Sequence, residues 1–212
     1  MKDRYSAAAP SANQFPPARP AASNRRWRVV DIVVASVLAV AVGVIFWAWS
    51  LGYAGVSALT AAFPPLAGLY TGGWLIAGVL GALIIRKPGA AIYCEMLAAA
   101  VSGVLGTQFG LSVLLSGFIQ GLGAELVFLI FLYRRFTLPV ALLAGLGSGV
   151  FLGLSENILY NLEWAAQWQL LYVILTAVSG AVIAGGLSWL AVRALAKTGA
   201  LAPFASGQTG KA

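Results

Sequence analysis

The sequence predicts an all-α, polytopic membrane protein with six transmembrane helices and both termini on the cytoplasmic side. Three observations carry this. Of 212 residues, 60% are hydrophobic and 9% charged, against about 25% charged in a soluble domain, and mean hydropathy is +0.90. Apolar runs long enough to cross a hydrocarbon core of roughly 30 Å recur along the chain. The 13 Lys and Arg residues gather on one side of the alternating spans, as the cytoplasmic bias of basic residues requires.

Taken in order, residues 1–28 are rich in Ala, Pro, Ser and Asn and carry Lys2, Arg4, Arg19, Arg25, Arg26 and Arg28. That composition is too polar to pack and predicts a disordered basic cytoplasmic tail. The first span runs from Val29 to Leu51, longer than a secretory h-region. The second runs from Leu66 to Ile85 after Pro64-Pro65, which suits a helix start. Gly89 to Gly106, Leu111 to Phe131, Leu138 to Tyr160 and Trp168 to Val192 complete the set. Residues 29–198 thus form the transmembrane domain, and 199–212 a flexible cytoplasmic tail. Arg86-Lys87, Arg134-Arg135, Arg193, Lys197 and Lys211 share a side with the N-terminal tail, whereas the loops near 52–65, 107–110 and 161–167 hold no Lys or Arg. Topology therefore accounts for the net charge of +7, and no nucleic-acid partner is implied.

Chemistry is scarce. The chain has no His and one Cys, Cys94, which removes the usual general base, His-containing triads and Cys-based metal sites. A phosphate loop for ATP is missing, since Lys197-Thr198 follows Ala196 and lies in the last helix. No enzyme activity and no cofactor are expected.

The acidic residues are more informative. Counted from Lys87 and from Arg134, Glu95 and Glu125 lie about 12 and 13 Å into the membrane, and no basic residue inside a span balances them. Each is protonated and hydrogen-bonded, binds an ion or proton in a transport cycle, or meets a cationic substrate. Ala91, Glu95, Ala99 and Gly103 share one helix side, as do Gly117, Gly121 and Glu125, so both carboxylates look inward among small residues with Gln120 a turn further out. Glu95 is favoured as the ligand contact and Glu125 as a brace of helix packing. Tyr70 with Trp74, and Gly153, Asn157, Tyr160 and Trp164, form two faces suited to an outward-opening cavity, where aromatic rings would accept a ligand cation. Small residues also recur in the first helix, where Ala35 and Ala39 open a stripe that allows close approach of another helix.

These stretches carry a resemblance. Tyr70-Thr-Gly-Gly-Trp74, then Ile85-Arg-Lys-Pro-Gly-Ala-Ala-Ile-Tyr-Cys-Glu95, then Gln120-Gly-Leu-Gly-Ala-Glu125-Leu-Val-Phe128 resemble the YkoE family of substrate-binding S components of energy-coupling factor (ECF) vitamin transporters, over roughly residues 27–199. The resemblance implies a six-helix S component that captures thiamine or its hydroxymethylpyrimidine precursor from outside. It also implies docking, through the small-residue face of the first helix at Ala35 and Ala39, onto a transmembrane T component that carries ATP-binding cassette ATPases. The alternative is a proton- or sodium-coupled carrier for a small organic cation, working through Glu95 and Glu125.

Overall fold

The computed structural model describes residues 25–207; the greater part of the predicted N-terminal tail, 1–24, and the end of the C-terminal one, 208–212, lie outside the described residues. Among those described the chain is all-helical, without strands. Its six helices are α1 Val29–Leu59, α2 Pro64–Ile85, α3 Ala90–Val104, α4 Ser112–Ile130, α5 Leu138–Leu159 and α6 Ala166–Lys197. Five are long and apolar enough to cross a membrane, whereas α3 has 15 residues. At 1.5 Å per residue α3 covers about 22 Å, so the predicted span 89–106 is a shorter element held between its neighbours.

α1 continues past the predicted end at Leu51 because nothing breaks it before Pro64-Pro65, and its 31 residues reach about 46 Å. Its start is closed by a local ion pair. The Arg28 guanidinium meets the Asp31 carboxylate at 2.7 Å, and the Arg28 N–H donates to the same carboxylate at 2.8 Å. α2 is the central helix. Its second half, Ile76–Ile85, has no polar side chain, and every residue from Ala77 to Ile85 is buried, as an all-apolar helix demands.

Around α2 the other helices approach closely at small residues, the packing device available where lipid supplies no hydrophobic drive. A Cβ added to Gly123 of α4 would lie 2.6 Å from the carbonyl oxygen of Gly147 on α5. On α1 the stripe serves the same purpose. Ala35 and Ala39 are 0% and 1% exposed, the Ala35 carbonyl accepts the Cys94 thiol of α3, and a Cβ on Gly43 would lie 2.6 Å from Val101 Cβ of α3. The expected docking face at Ala35 and Ala39 is therefore occupied by α3 within the chain.

The described residues next to each end of the chain pack against the turns at the basic end. The Trp27 indole N–H donates to the Pro88 carbonyl at 2.9 Å. Residues 201–207 also pack back rather than trailing away: Leu201 and Phe204 are buried, and the Ser206 hydroxyl donates to the Ile84 carbonyl at 3.1 Å. The two apolar side chains leave water by covering the end of α2, and so the part of the C-terminal segment read as flexible that is described is docked.

Candidate functional site

At the opposite end, where no Lys or Arg occurs among the described residues, the helices splay around a cavity of about 390 Å³. α1 contributes Phe46, Tyr53, Ser57 and Thr60; α2 contributes Pro64, Ala67, Thr71 and Trp74. Ala99 and Ser102 of α3, with Ser112, Ser116 and Gln120 of α4, form another wall. Glu156 of α5, Tyr160, Asn161 and Trp164 after it, and Tyr172 of α6 close the ring. The volume lies within the range of small-molecule sites.

Two features define its chemistry. Tyr53, Trp74 and Phe109 form a triangle of rings with centroids 5.4 to 5.5 Å apart, an edge-to-face arrangement that aromatic quadrupoles favour. Trp74 is fixed in it by an indole N–H bond of 3.0 Å to the Ser50 hydroxyl, which in turn donates to the Phe46 carbonyl. The same cavity is lined by the Glu156 carboxylate, which accepts the Tyr172 hydroxyl. Trp164 packs edge-on against Tyr172 at 5.7 Å. An acidic side chain and π-rings in one cavity, with no Lys or Arg among the lining residues, suit a flat cation with polar substituents.

Of the residues singled out in the sequence, Trp74, Gln120, Tyr160 and Trp164 line this cavity. Tyr70 and Asn157 do not. Tyr70 stacks on Trp49 at 4.4 Å, and the pair exchange hydrogen bonds, Tyr70 hydroxyl to Trp49 carbonyl and Trp49 indole to Tyr70 carbonyl. Asn157 donates to the Gln169 carbonyl at 2.9 Å and accepts from Asn161, bracing the turn between α5 and α6. Glu156, Asn161 and Tyr172 were not singled out. Glu156 carried a signal, being an acidic residue inside a predicted span, one turn from Gly153 and Tyr160.

Glu95 and Glu125 are balanced by backbone rather than by charge. Glu125 Oε1 accepts the Gly89 N–H at 2.5 Å and the Tyr133 hydroxyl at 2.7 Å, and Oε2 accepts the Ala91 N–H at 2.8 Å. It thus caps α3, where free N–H groups and the helix dipole favour an anion. Burial and the Glu125 carboxylate push the Tyr133 hydroxyl above its ordinary range, which keeps it a donor. Glu95 is 0% exposed, and its Oε2 accepts the Gly78 N–H of α2 at 2.6 Å. The two carboxylates do not share a depth: Glu125 meets the first turn of α3, whereas Glu95 belongs to the second. The count from Arg134 misleads because α4 stops at Ile130 and the chain reverses through left-handed Leu132 and Tyr133.

Among the described residues no group of three or more His, Cys, Asp or Glu could hold a metal. Helices of membrane-spanning length around a cavity sized for a small molecule are the geometry of a membrane-embedded binding component. Residues 30–151 match the family described as "ABC-type cobalt transport system, permease component". A crystal structure described as an S-component of an ECF transporter superposes with a TM-score of 0.76 at 32% identity, covering 88% of this chain and 94% of that one. A Bacillus subtilis (strain 168) protein named as an HMP/thiamine permease, YkoE, is 35% identical over 192 residues, 87% of this chain and 92% of its own. The chain belongs to the YkoE family of ECF transporter S components, multi-pass proteins of the cell membrane. These relatives are transport components rather than enzymes.

Proposed function

We propose that the protein captures thiamine or hydroxymethylpyrimidine from outside the cell and delivers it together with a T component and ATP-binding cassette ATPases. One observation carries the substrate class: a cavity of about 390 Å³ lined by both the Glu156 carboxylate and the Tyr53, Trp74 and Phe109 rings. Thiamine's thiazolium is a fixed cation for the rings, and its aminopyrimidine, shared with hydroxymethylpyrimidine, offers donors and acceptors that Glu156, Gln120 and Asn161 can read. The name of the Bacillus relative supports the same class. In this reading both termini are cytoplasmic and the cavity end faces outward, because Arg86, Lys87, Arg134, Arg135, Arg193 and Lys197 all lie toward the other end.

Coupling to protons or sodium through Glu95 and Glu125 gains no support from the geometry, since both accept backbone N–H groups and neither lines the cavity. The test is titration of purified protein with thiamine, hydroxymethylpyrimidine and thiamine pyrophosphate in the absence of any ATPase. Saturable binding of at least one of the first two is expected. Binding that arises only with ATPase subunits present, or of none of the three, would overturn the reading.

A further inference from the structure

α2 changes geometry along its length, from a 3-10 helix over Pro64–Leu75 to an α-helix over Ile76–Ile85. A run of 12 residues far exceeds the three or four that the tighter helix usually sustains. Contacts from outside the helix must hold it. Four side chains from other helices bond directly to its backbone: the Trp49 indole donates to the Tyr70 carbonyl, the Ser188 hydroxyl donates to the Ile76 carbonyl, and two others accept its N–H groups.

The first of these two acceptors is Ser179 of α6. Its hydroxyl donates to the Leu69 carbonyl at 2.6 Å and accepts the Gly72 N–H at 2.9 Å. Leu69 and Gly72 are three residues apart, so Ser179 bridges the two groups that a 3-10 hydrogen bond joins directly. The second is Glu95 of α3, whose Oε2 accepts the Gly78 N–H at 2.6 Å. Gly78 is the third residue of the α-helical part, the position whose N–H a capping acceptor ordinarily takes. Glycine is needed at the first fastening, where a Cβ on Gly72 would lie 2.5 Å from the Ser179 carbonyl oxygen and 2.8 Å from Ile183 Cβ; one on Gly78 would lie 3.1 Å from Glu95 Oε2, a tight contact.

Thr71 and Trp74, which α2 presents to the cavity, sit between these fastenings. A 3-10 helix advances about 120° per residue and an α-helix about 100°. Each three residues converted to α geometry would therefore turn the preceding part of α2 by roughly 60°, enough to carry Thr71 off the wall.

We propose that Glu95 is a positioning residue of the binding cavity: through Gly78 it holds α2 in the register that presents Thr71 and Trp74, with Ser179 as the second fastening. The inference rests on the cavity being the binding site. Glu95 does not touch the ligand space, and its Oε1 has no hydrogen-bond partner among the described residues, so its polar role runs through Oε2 and Gly78. What matters is an acceptor at this point rather than a charge. Gln supplies that acceptor and Leu does not.

The experiment compares the full-length protein with Glu95→Gln, Glu95→Leu and Ser179→Ala in detergent, at a temperature where each is folded. Thiamine affinity is read by calorimetry, and amide hydrogen exchange over residues 69–78 is read in the empty protein. Glu95→Gln should stay within threefold of the parent in affinity with unchanged exchange. Glu95→Leu and Ser179→Ala should bind at least tenfold more weakly and exchange faster over 69–78. If Gln weakened binding as much as Leu, the carboxylate would be a direct charged contact and the proposal would fall. Parental affinity and exchange in Glu95→Leu would also overturn it. Should Glu95→Leu not fold, Ser179→Ala decides: parental affinity and exchange in that variant would refute the fastening. If the parent itself binds no thiamine, the functional reading fails, while hydrogen exchange still shows whether the fastening exists.

Discussion

The Tyr172 hydroxyl of α6 donates to the Glu156 carboxylate of α5 at the wall of the cavity. This bond orients an acidic side chain toward a space otherwise bounded by aromatic rings and neutral polar groups. Glu156 is the acidic side chain among the residues lining the cavity.

Replacing Glu156 with Gln keeps the shape and an acceptor for Tyr172 but removes the charge. A charge-assisted contact of about 1.5 to 3 kcal/mol is lost, so thiamine affinity should fall about tenfold or more by calorimetry. Tyr172→Phe should cost less, since the carboxylate remains. Equal affinity in Glu156→Gln and parent would remove Glu156 from the ligand contact.

Trp74 combines ring contact with a fixed indole. Trp74→Phe should keep much of the affinity, whereas Trp74→Leu loses a cation–π contact of about 0.5 to 2 kcal/mol and should bind a thiazolium several-fold more weakly. Hydroxymethylpyrimidine, which has no fixed cation, should be less affected by the same change. Titrations with the two ligands check this difference.

Glu125 caps α3 through Gly89 and Ala91 at a distance from the cavity wall. Glu125→Ala should remove a cap of about 1 to 2 kcal/mol and lower the melting temperature of the empty protein by about 5 °C. Ligand affinity in the folded protein should stay near that of the parent. An affinity loss without a melting change would contradict a capping role.

Ala35 and Ala39 are packed against α3, while Val37 on the same helix is 65% exposed. Trp at either alanine overfills a dry contact, with a cost of about 1 to 3 kcal/mol or more, and should lower the melting temperature and impair folding. Val37→Trp should leave the melting temperature near the parent value. Thermal unfolding of the three variants distinguishes internal packing from a free docking stripe: unchanged melting in Ala39→Trp would show that the stripe is open.

Hydropathy and charge are properties of the chain read one segment at a time, and whatever depends on them alone is legible in the sequence. The helical spans, the absence of Lys and Arg from the cavity end and the aromatic wealth of that end all follow from it, and the motifs around Glu95 and Glu125 point to the family. What depends on which surfaces meet is not legible there. A stripe such as Ala35 and Ala39 states that something approaches closely, but not whether it is α3 or another protein. The carboxylates at 95 and 125 demand partners, and apart from the Tyr133 hydroxyl at Glu125 the partners prove to be backbone N–H groups, which every residue but proline carries and no composition reveals. Glu156 becomes a site residue only because Tyr172, 16 residues on, turns back beside it. The 3-10 course of α2 depends on Ser179, 107 residues from Gly72. Local patterns cannot encode such pairings, because they are settled by the packing of helices distant in the chain.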